Sequence, residues 1–142
     1  MSDPLPPADS DYGQRVRDRL RGETAVWVTT VARDGTPQPN PVWFVWDGAA
    51  SLLIYNRPDA HRLEHVRRSP RLSLHFDGNG RGGNVVVLTG SAARIDAPAP
   101  HENPDYLAKY HDDMTRVSGS PQRFSEQYPV PLRVTIDKVR GF

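Results

Sequence analysis

Apolar residues along this chain recur mostly in short alternating runs separated by turn residues, a pattern that predicts strands joined by tight connections. Ala25–Val31 is β-branched and aromatic and predicts a first strand. Arg33-Asp34-Gly35-Thr36 predicts the hairpin turn after it. Pro37, Pro39 and Pro41 then alternate, and because proline gives no N–H to a ladder, this stretch predicts an edge or an irregular approach. Val42–Trp46 predicts the second strand, Ser51–Asn56 the third, and Leu72–Phe76 the fourth, its apolar positions alternating with Ser73 and His75. Val85–Ile95 predicts a long fifth strand with a bulge at Gly90, and Leu132–Ile136 the sixth and last.

Helical spacing appears in four places. Tyr12, Val16 and Leu20 make one stripe from Asp11 onward, ended by Gly22. Leu63 and Val66 face inward from a short helix over Ala60–Arg68, which Asp59 can cap. Asn103-Pro104 predicts the start of a third helix, with Tyr106, Leu107, Tyr110, Met114 and Val117 on one face. Pro121–Tyr128 predicts a fourth. Six strands with peripheral helices predict a mainly β protein built on a small antiparallel barrel. Residues 1–9, with three prolines, predict a disordered or clamping arm before a single domain over 10–142.

Composition narrows the chemistry. The 142 residues contain no cysteine, which excludes disulfides, thiolate nucleophiles, iron–sulfur clusters and Cys-type zinc sites. The longest apolar run is Val42–Trp46, far short of a membrane span. The first residues lack the basic and apolar regions of a signal peptide, so a cytoplasmic protein is expected. The net charge of +1 is uneven: six arginines oppose three acids between Arg57 and Arg81, whereas five acids oppose Lys109 between Asp96 and Asp113. The basic stretch reads as a site for an anionic ligand or as a solvated face. The small net charge and the acidic stretch weaken the case for a nucleic-acid-binding barrel, the non-catalytic alternative.

Two short motifs lead nowhere. Gly78-Asn79-Gly80-Arg81-Gly82-Gly83 satisfies the dinucleotide fingerprint, yet it runs into the strand Val85–Val87 rather than a helix whose N-terminus could hold a pyrophosphate, so a hairpin loop is expected. His61-Arg-Leu-Glu-His65 matches an inverted zinc-protease motif, but Arg62, Arg67 and Arg68 crowd a dication and no third ligand is signalled; no metal is expected. With no evident nucleophile either, a bound cofactor is the natural carrier of any reaction.

Aromatic residues concentrate at Trp43, Phe44, Trp46 and Tyr55, and Arg57, Arg62, Arg67, Arg68 and Arg71 follow directly. A flat ring needs an apolar slot and a phosphate needs cations at its exit. Alternation sends Trp43 and Val45 to one side and Phe44 and Trp46 to the other. One small core cannot receive both sides, so one aromatic pair meets a helix, a partner chain or a ligand.

In order, the chain reads Thr29-Thr-Val-Ala-Arg-Asp-Gly-Thr-Pro-Gln-Pro-Asn-Pro-Val-Trp-Phe44, Leu53-Ile-Tyr-Asn-Arg-Pro58, Arg62-Leu-Glu-His-Val-Arg-Arg-Ser-Pro-Arg-Leu-Ser-Leu74 and Gly90-Ser-Ala92. These blocks resemble the split-barrel flavin and deazaflavin oxidoreductases that include pyridoxamine-phosphate oxidase, and more narrowly an actinobacterial branch of F420-dependent enzymes. The resemblance implies a split-barrel homodimer with the cofactor between protomers. It implies that Pro41, Val42, Trp43 and Phe44 lie along the ring system, that Tyr55, Asn56 and Arg57 approach the ribityl chain and phosphate, and that Arg62 stands where the family has a lysine. His65 replaces a family asparagine. The implied function is F420-dependent hydride transfer to a conjugated small-molecule acceptor, quinone- or tetrapyrrole-like, with FMN as the alternative cofactor. The density of arginines favours F420, whose anionic tail extends beyond a single phosphate. Tyr55, His75 and Tyr128 are candidate proton donors alongside water, and none is assigned a catalytic role.

Overall fold

The computed structural model describes residues 3–142; Met1 and Ser2 of the expected arm lie outside the described residues. Helix α1 (Asp11–Gly22) starts at Ser10, whose Oγ accepts from the Gly13 N–H at 2.9 Å and so satisfies one of the donors a helix start leaves open. Val16 and Leu20 on its inner face are fully buried. Residues 3–9 lie along this helix. Arg17 donates to the Pro6 carbonyl at 2.7 Å and pairs with Asp3 at 3.4 Å, and Leu5 is buried in the main core.

Seven strands follow: β1 (Val26–Val31), β2 (Pro37–Val42), β3 (Val45–Trp46), β4 (Ser51–Asn56), β5 (Arg71–His75), β6 (Val86–Arg94) and β7 (Val130–Gly141). They form one antiparallel sheet in the order β2-β1-β5-β6-β7-β4-β3. Between them lie α2 (His61–Arg68), a 3₁₀ turn (Pro100–Glu102), α3 (Pro104–Ser118) and α4 (Pro121–Gln127).

The seventh strand corrects the expectation of six. The predicted second strand, Val42–Trp46, is split: Val42 ends β2, Val45 begins β3, and Trp43 and Phe44 belong to neither. Since β2 and β3 are the two outermost strands, a link from Val42 to Val45 holds both edges of the sheet within about 10 Å and rolls it into a barrel. The prolines explain why β2 is an edge. Gln38, Asn40 and Val42 lie opposite Thr30, Val28 and Val26 of β1 and supply the ladder, while Pro37, Pro39 and Pro41 turn carbonyls outward with no N–H beside them.

The rest of the barrel follows its alternation. Val26, Val28, Leu52, Ile54, Leu72 and Leu74 point inward with Val86, Leu88, Leu132, Val134 and Ile136. The bulge falls where Gly90 predicts it, with a register shift between Thr89 and Gly90. A Cβ on Gly90 would lie 2.0 Å from the Thr135 carbonyl oxygen, so this close approach requires glycine. The Gly78–Gly83 segment is the loop between β5 and β6, folded around Asn79 Oδ1, which accepts from the N–H groups of Arg81 and Gly83. Asp59 does not cap α2: Ala60 is the N-cap, without a side-chain bond, and Asp59 lies 3.9 Å from Arg57.

Asn103 caps α3, its Oδ1 accepting from the N–H groups of Asp105 and Tyr106. Helices α3 and α4 build a second, aromatic cluster from Tyr106, Tyr110, Met114 and Phe124, joined by Tyr55 from β4. Phe44 and Trp46 pack on the main core, Trp43 and Val45 on this second cluster. The two-sided aromatic strand is thus resolved by a helix pair.

Candidate functional site: a groove beside the barrel joint

Trp43 is the centre of a stack. Its ring lies 4.9 Å from Tyr110 with planes 6° apart, and 5.2 Å from Phe124 at 14°. Phe124 in turn stacks on Tyr128 at 4.3 Å, and the Arg57 guanidinium caps Tyr128 at 5.3 Å. Offset stacks and cation–π contacts of this kind fix ring orientation as well as adding burial.

Beside the stack runs a groove of about 270 Å³ lined by Pro41, Val42, Trp43, Tyr55 and Arg62, together with Tyr106, Val117, Phe124 and Tyr128. Five of the eight residues assigned from the sequence therefore meet in one place. The other three do not line it. Phe44 is fully buried; its N–H donates to Tyr110 Oη at 2.9 Å, and its carbonyl accepts from Lys109 Nζ at 3.0 Å. Asn56, also fully buried, donates to the Ile54 and Val130 carbonyls and accepts from Arg62 Nε at 2.5 Å. Arg57 touches the groove only through Tyr128.

Arg62 is the charged member of the groove. Burial pulls its pKa below the ordinary guanidinium value, and no carboxylate opposes that shift; only the Tyr128 hydroxyl does. Beyond Arg62 lies a second pocket of about 470 Å³, lined by Thr30, Gln38, Asn40, His61 and His65. His65 Nδ1 and Thr30 Oγ1 are hydrogen-bonded at 2.8 Å. The guanidinium thus stands between an aromatic slot and a polar chamber.

The arginine run does not converge as its density in the sequence suggests. Arg67 is bound by Glu64 through two bonds, Arg71 pairs with Asp137, and Arg68 donates to the Val31 carbonyl. The change from α2 to β5 sends these side chains to different faces. Glu64 is held by Arg67, and among the described residues no three His, Asp or Glu side chains gather as a metal site would need. Of the candidate proton donors, Tyr55 is committed: its hydroxyl donates to the Pro98 carbonyl and accepts from Asn103 Nδ2, and burial raises its pKa. His75 stacks on Trp27 at 6.2 Å and is absent from the groove; Tyr128 is in its wall. Sequence reasoning missed Tyr106, Val117 and Phe124 as groove residues. For Tyr106 and Val117 the signal available was the α3 stripe, which does not tell a core face from a groove wall; Phe124 lies outside it on α4, and Val117 is 47% exposed where a core position would be buried.

A rolled antiparallel sheet with an aromatic groove at its joint is the split β-barrel of the pyridoxamine-phosphate-oxidase-like proteins. The pyridoxamine 5'-phosphate oxidase family model matches residues 13–141, and the chain belongs to that family. The pyridoxine/pyridoxamine 5'-phosphate oxidase of Edwardsiella ictaluri is 30% identical over 79 residues, 56% of this chain and 36% of the relative. The chain therefore covers little more than a third of that relative's length. A solved F420 reductase superposes with a TM-score of 0.64 at 21% identity, covering 87% of this chain and 94% of the other. An FAD-binding protein of Mesorhizobium loti gives 0.59 at 21% identity, covering 89% and 88%. At these identities the two structures share the fold. Among the described residues no helix is long and apolar enough to cross a membrane.

Proposed function

We propose that the chain is an F420-dependent oxidoreductase that passes hydride to a conjugated small-molecule acceptor. The observation that carries this reading is Arg62: a partly buried guanidinium with no acid beside it, braced by Asn56, with an aromatic slot on one side and a polar chamber on the other. A tricyclic ring fits the slot formed by Pro41, Val42, Trp43 and Tyr55. A phosphate fits Arg62, which needs an anion to offset its desolvation. Thr30, Gln38, Asn40 and the two histidines offer hydrogen bonds to a polar tail that continues past the phosphate, which favours F420 over a cofactor ending there.

When bound, F420 supplies a two-electron hydride donor. The residues of this chain then have three tasks. Pro41, whose outward carbonyl has no N–H beside it, would offer the ring a hydrogen-bond acceptor. Trp43, fixed by Tyr110 and Phe124, sets the plane of the slot and keeps water from that face. Tyr128 and Arg57 form the rim against which an acceptor lies. Pro37–Pro41 are exposed on both faces of β2, which supports a second copy covering this edge and completing the groove, as in a homodimer. FMN is the second reading, favoured by the family match and by the fact that Arg62 alone serves one phosphate.

Titration of the cofactor-free protein with F420 and with FMN, followed by fluorescence and calorimetry, separates these readings. Micromolar F420 binding with weak FMN binding is expected. Preference for FMN replaces the first reading with the second, and binding of neither removes both.

A further inference from the structure

The chain carries two lysines, in opposite surroundings. Lys138 is exposed on β7, whereas Lys109 on α3 is half-buried. The Lys109 amine donates to the Phe44 carbonyl at 3.0 Å, and it lies 3.8 Å from the centroid of the Phe44 ring and 5.2 Å from that of Tyr110. Desolvation outweighs the weak attraction of Glu23 and brings its pKa down to about 8. Lys109 lines a cavity of about 580 Å³, with Leu20, Val45 and Trp46 as apolar wall and Arg21, Asp47 and Asp105 as its other charged members. Asp47 is occupied by the N–H groups of Ala49 and Ser51, and Arg21 lies over the Trp46 ring at 5.0 Å. The ring faces and the Phe44 carbonyl favour the protonated amine, but its burial, the lack of a paired acid and its place at the wall of an open cavity give Lys109 the setting of a nucleophilic lysine.

We propose that Lys109 is a covalent capture site for small aldehydes, which enter this cavity and condense with its amine to a Schiff base. The nitrogen lone pair attacks the carbonyl carbon, a C–N bond forms, and the carbonyl oxygen takes up protons and leaves as water. No electrons change hands, and the proton transfers need only water or the Asp105 carboxyl group in the same cavity. The modified atom is the one that grips the Phe44 carbonyl, next to Trp43, so an adduct is felt at the groove. The site itself does not depend on which cofactor the groove holds.

The test is reductive trapping on the folded 142-residue chain: propionaldehyde with cyanoborohydride at pH 7, with both lysines followed by peptide mass spectrometry. Lys109 is expected to be labelled at least ten-fold faster than Lys138 although it is less exposed, with its rate levelling off above about pH 8, and the advantage vanishes in denaturing urea. Equal labelling in the folded protein, or faster labelling of Lys138, overturns the proposal. Ala108→Trp, on the exposed side of α3 and lining the same cavity, separates site from chemistry. It should slow Lys109 several-fold and leave Lys138 unchanged, and an unchanged Lys109 rate in a folded variant removes the cavity from the proposal.

Discussion

Arg62 Nε donates to Asn56 Oδ1, and this bond holds the guanidinium in the wall between two pockets. Asn56 is fixed in turn by the carbonyls of Ile54 and Val130, so Arg62 is positioned from two strands as well as from its own helix. Arg62→Ala is expected to weaken F420 binding by about ten- to a hundred-fold, the equivalent of about 1.5–3 kcal/mol for a charge-assisted hydrogen bond. Calorimetry on the folded variant checks this, and unchanged affinity takes Arg62 out of the site.

Trp43 stacks with both Tyr110 and Phe124 at the joint of the two sheet edges. Removing its ring should therefore cost stability before any ligand is added. Trp43→Ala is expected to lose about 3 kcal/mol in urea unfolding, and Trp43→Phe to recover part of it. A neutral Trp43→Ala would mean that the stack does not hold the joint.

Two glycines should respond in opposite ways. At Gly90 a methyl group meets the Thr135 carbonyl oxygen at 2.0 Å and Ile136 Cα at 3.1 Å, all backbone, whereas at Gly22 nothing lies within 4 Å. Gly90→Ala is expected to destabilise by about 2 kcal/mol or more, and Gly22→Ala to be neutral or stabilising by up to about 1 kcal/mol. Paired denaturation curves decide both.

Alkaline pH should act in two stages. Lys109 titrates near 8 when folded against 10.5 in its ordinary state, so above pH 8 the unfolded chain binds the extra proton and stability rises with pH toward 10. Tyr106 and Tyr110 have their pKa values raised well above 10 by burial. Beyond pH 10 the folded chain therefore holds protons that the unfolded chain releases, and stability falls. Thermal melts from pH 7 to 11 should show a shallow maximum, and Lys109→Met should abolish the rising limb while keeping the fall. The rise will be smaller than the full shift implies because the amine is partly exposed.

Much of this was legible in the residues themselves. Alternation located the strands, the proline series marked the edge, and Gly90 marked the bulge, because each follows from backbone constraints that act over a few residues. The groove was half legible by a different route: the family resemblance implied Pro41, Val42, Trp43, Tyr55 and Arg62, whose motifs lie on segments close in the sequence. Tyr106, Val117 and Phe124 come from helices far along the chain, where a helical stripe reads the same whether it covers a core or walls a pocket. The arginines misled in the other direction. Counting charge along the chain treats Arg67 and Arg71 as neighbours of Arg62, but the partners that neutralise them, Glu64 and Asp137, appear only once α2 and β5 are folded.

The proline series also governs growth. An exposed strand with a full row of donors and acceptors is a template on which another chain can add itself, and repeated addition makes fibres. The outer rim of β2 has acceptors alone, so an incoming strand would find half of its own acceptors without a mate. Polymerisation by strand addition is closed at that rim, and whatever docks there must arrive carrying its own hydrogens.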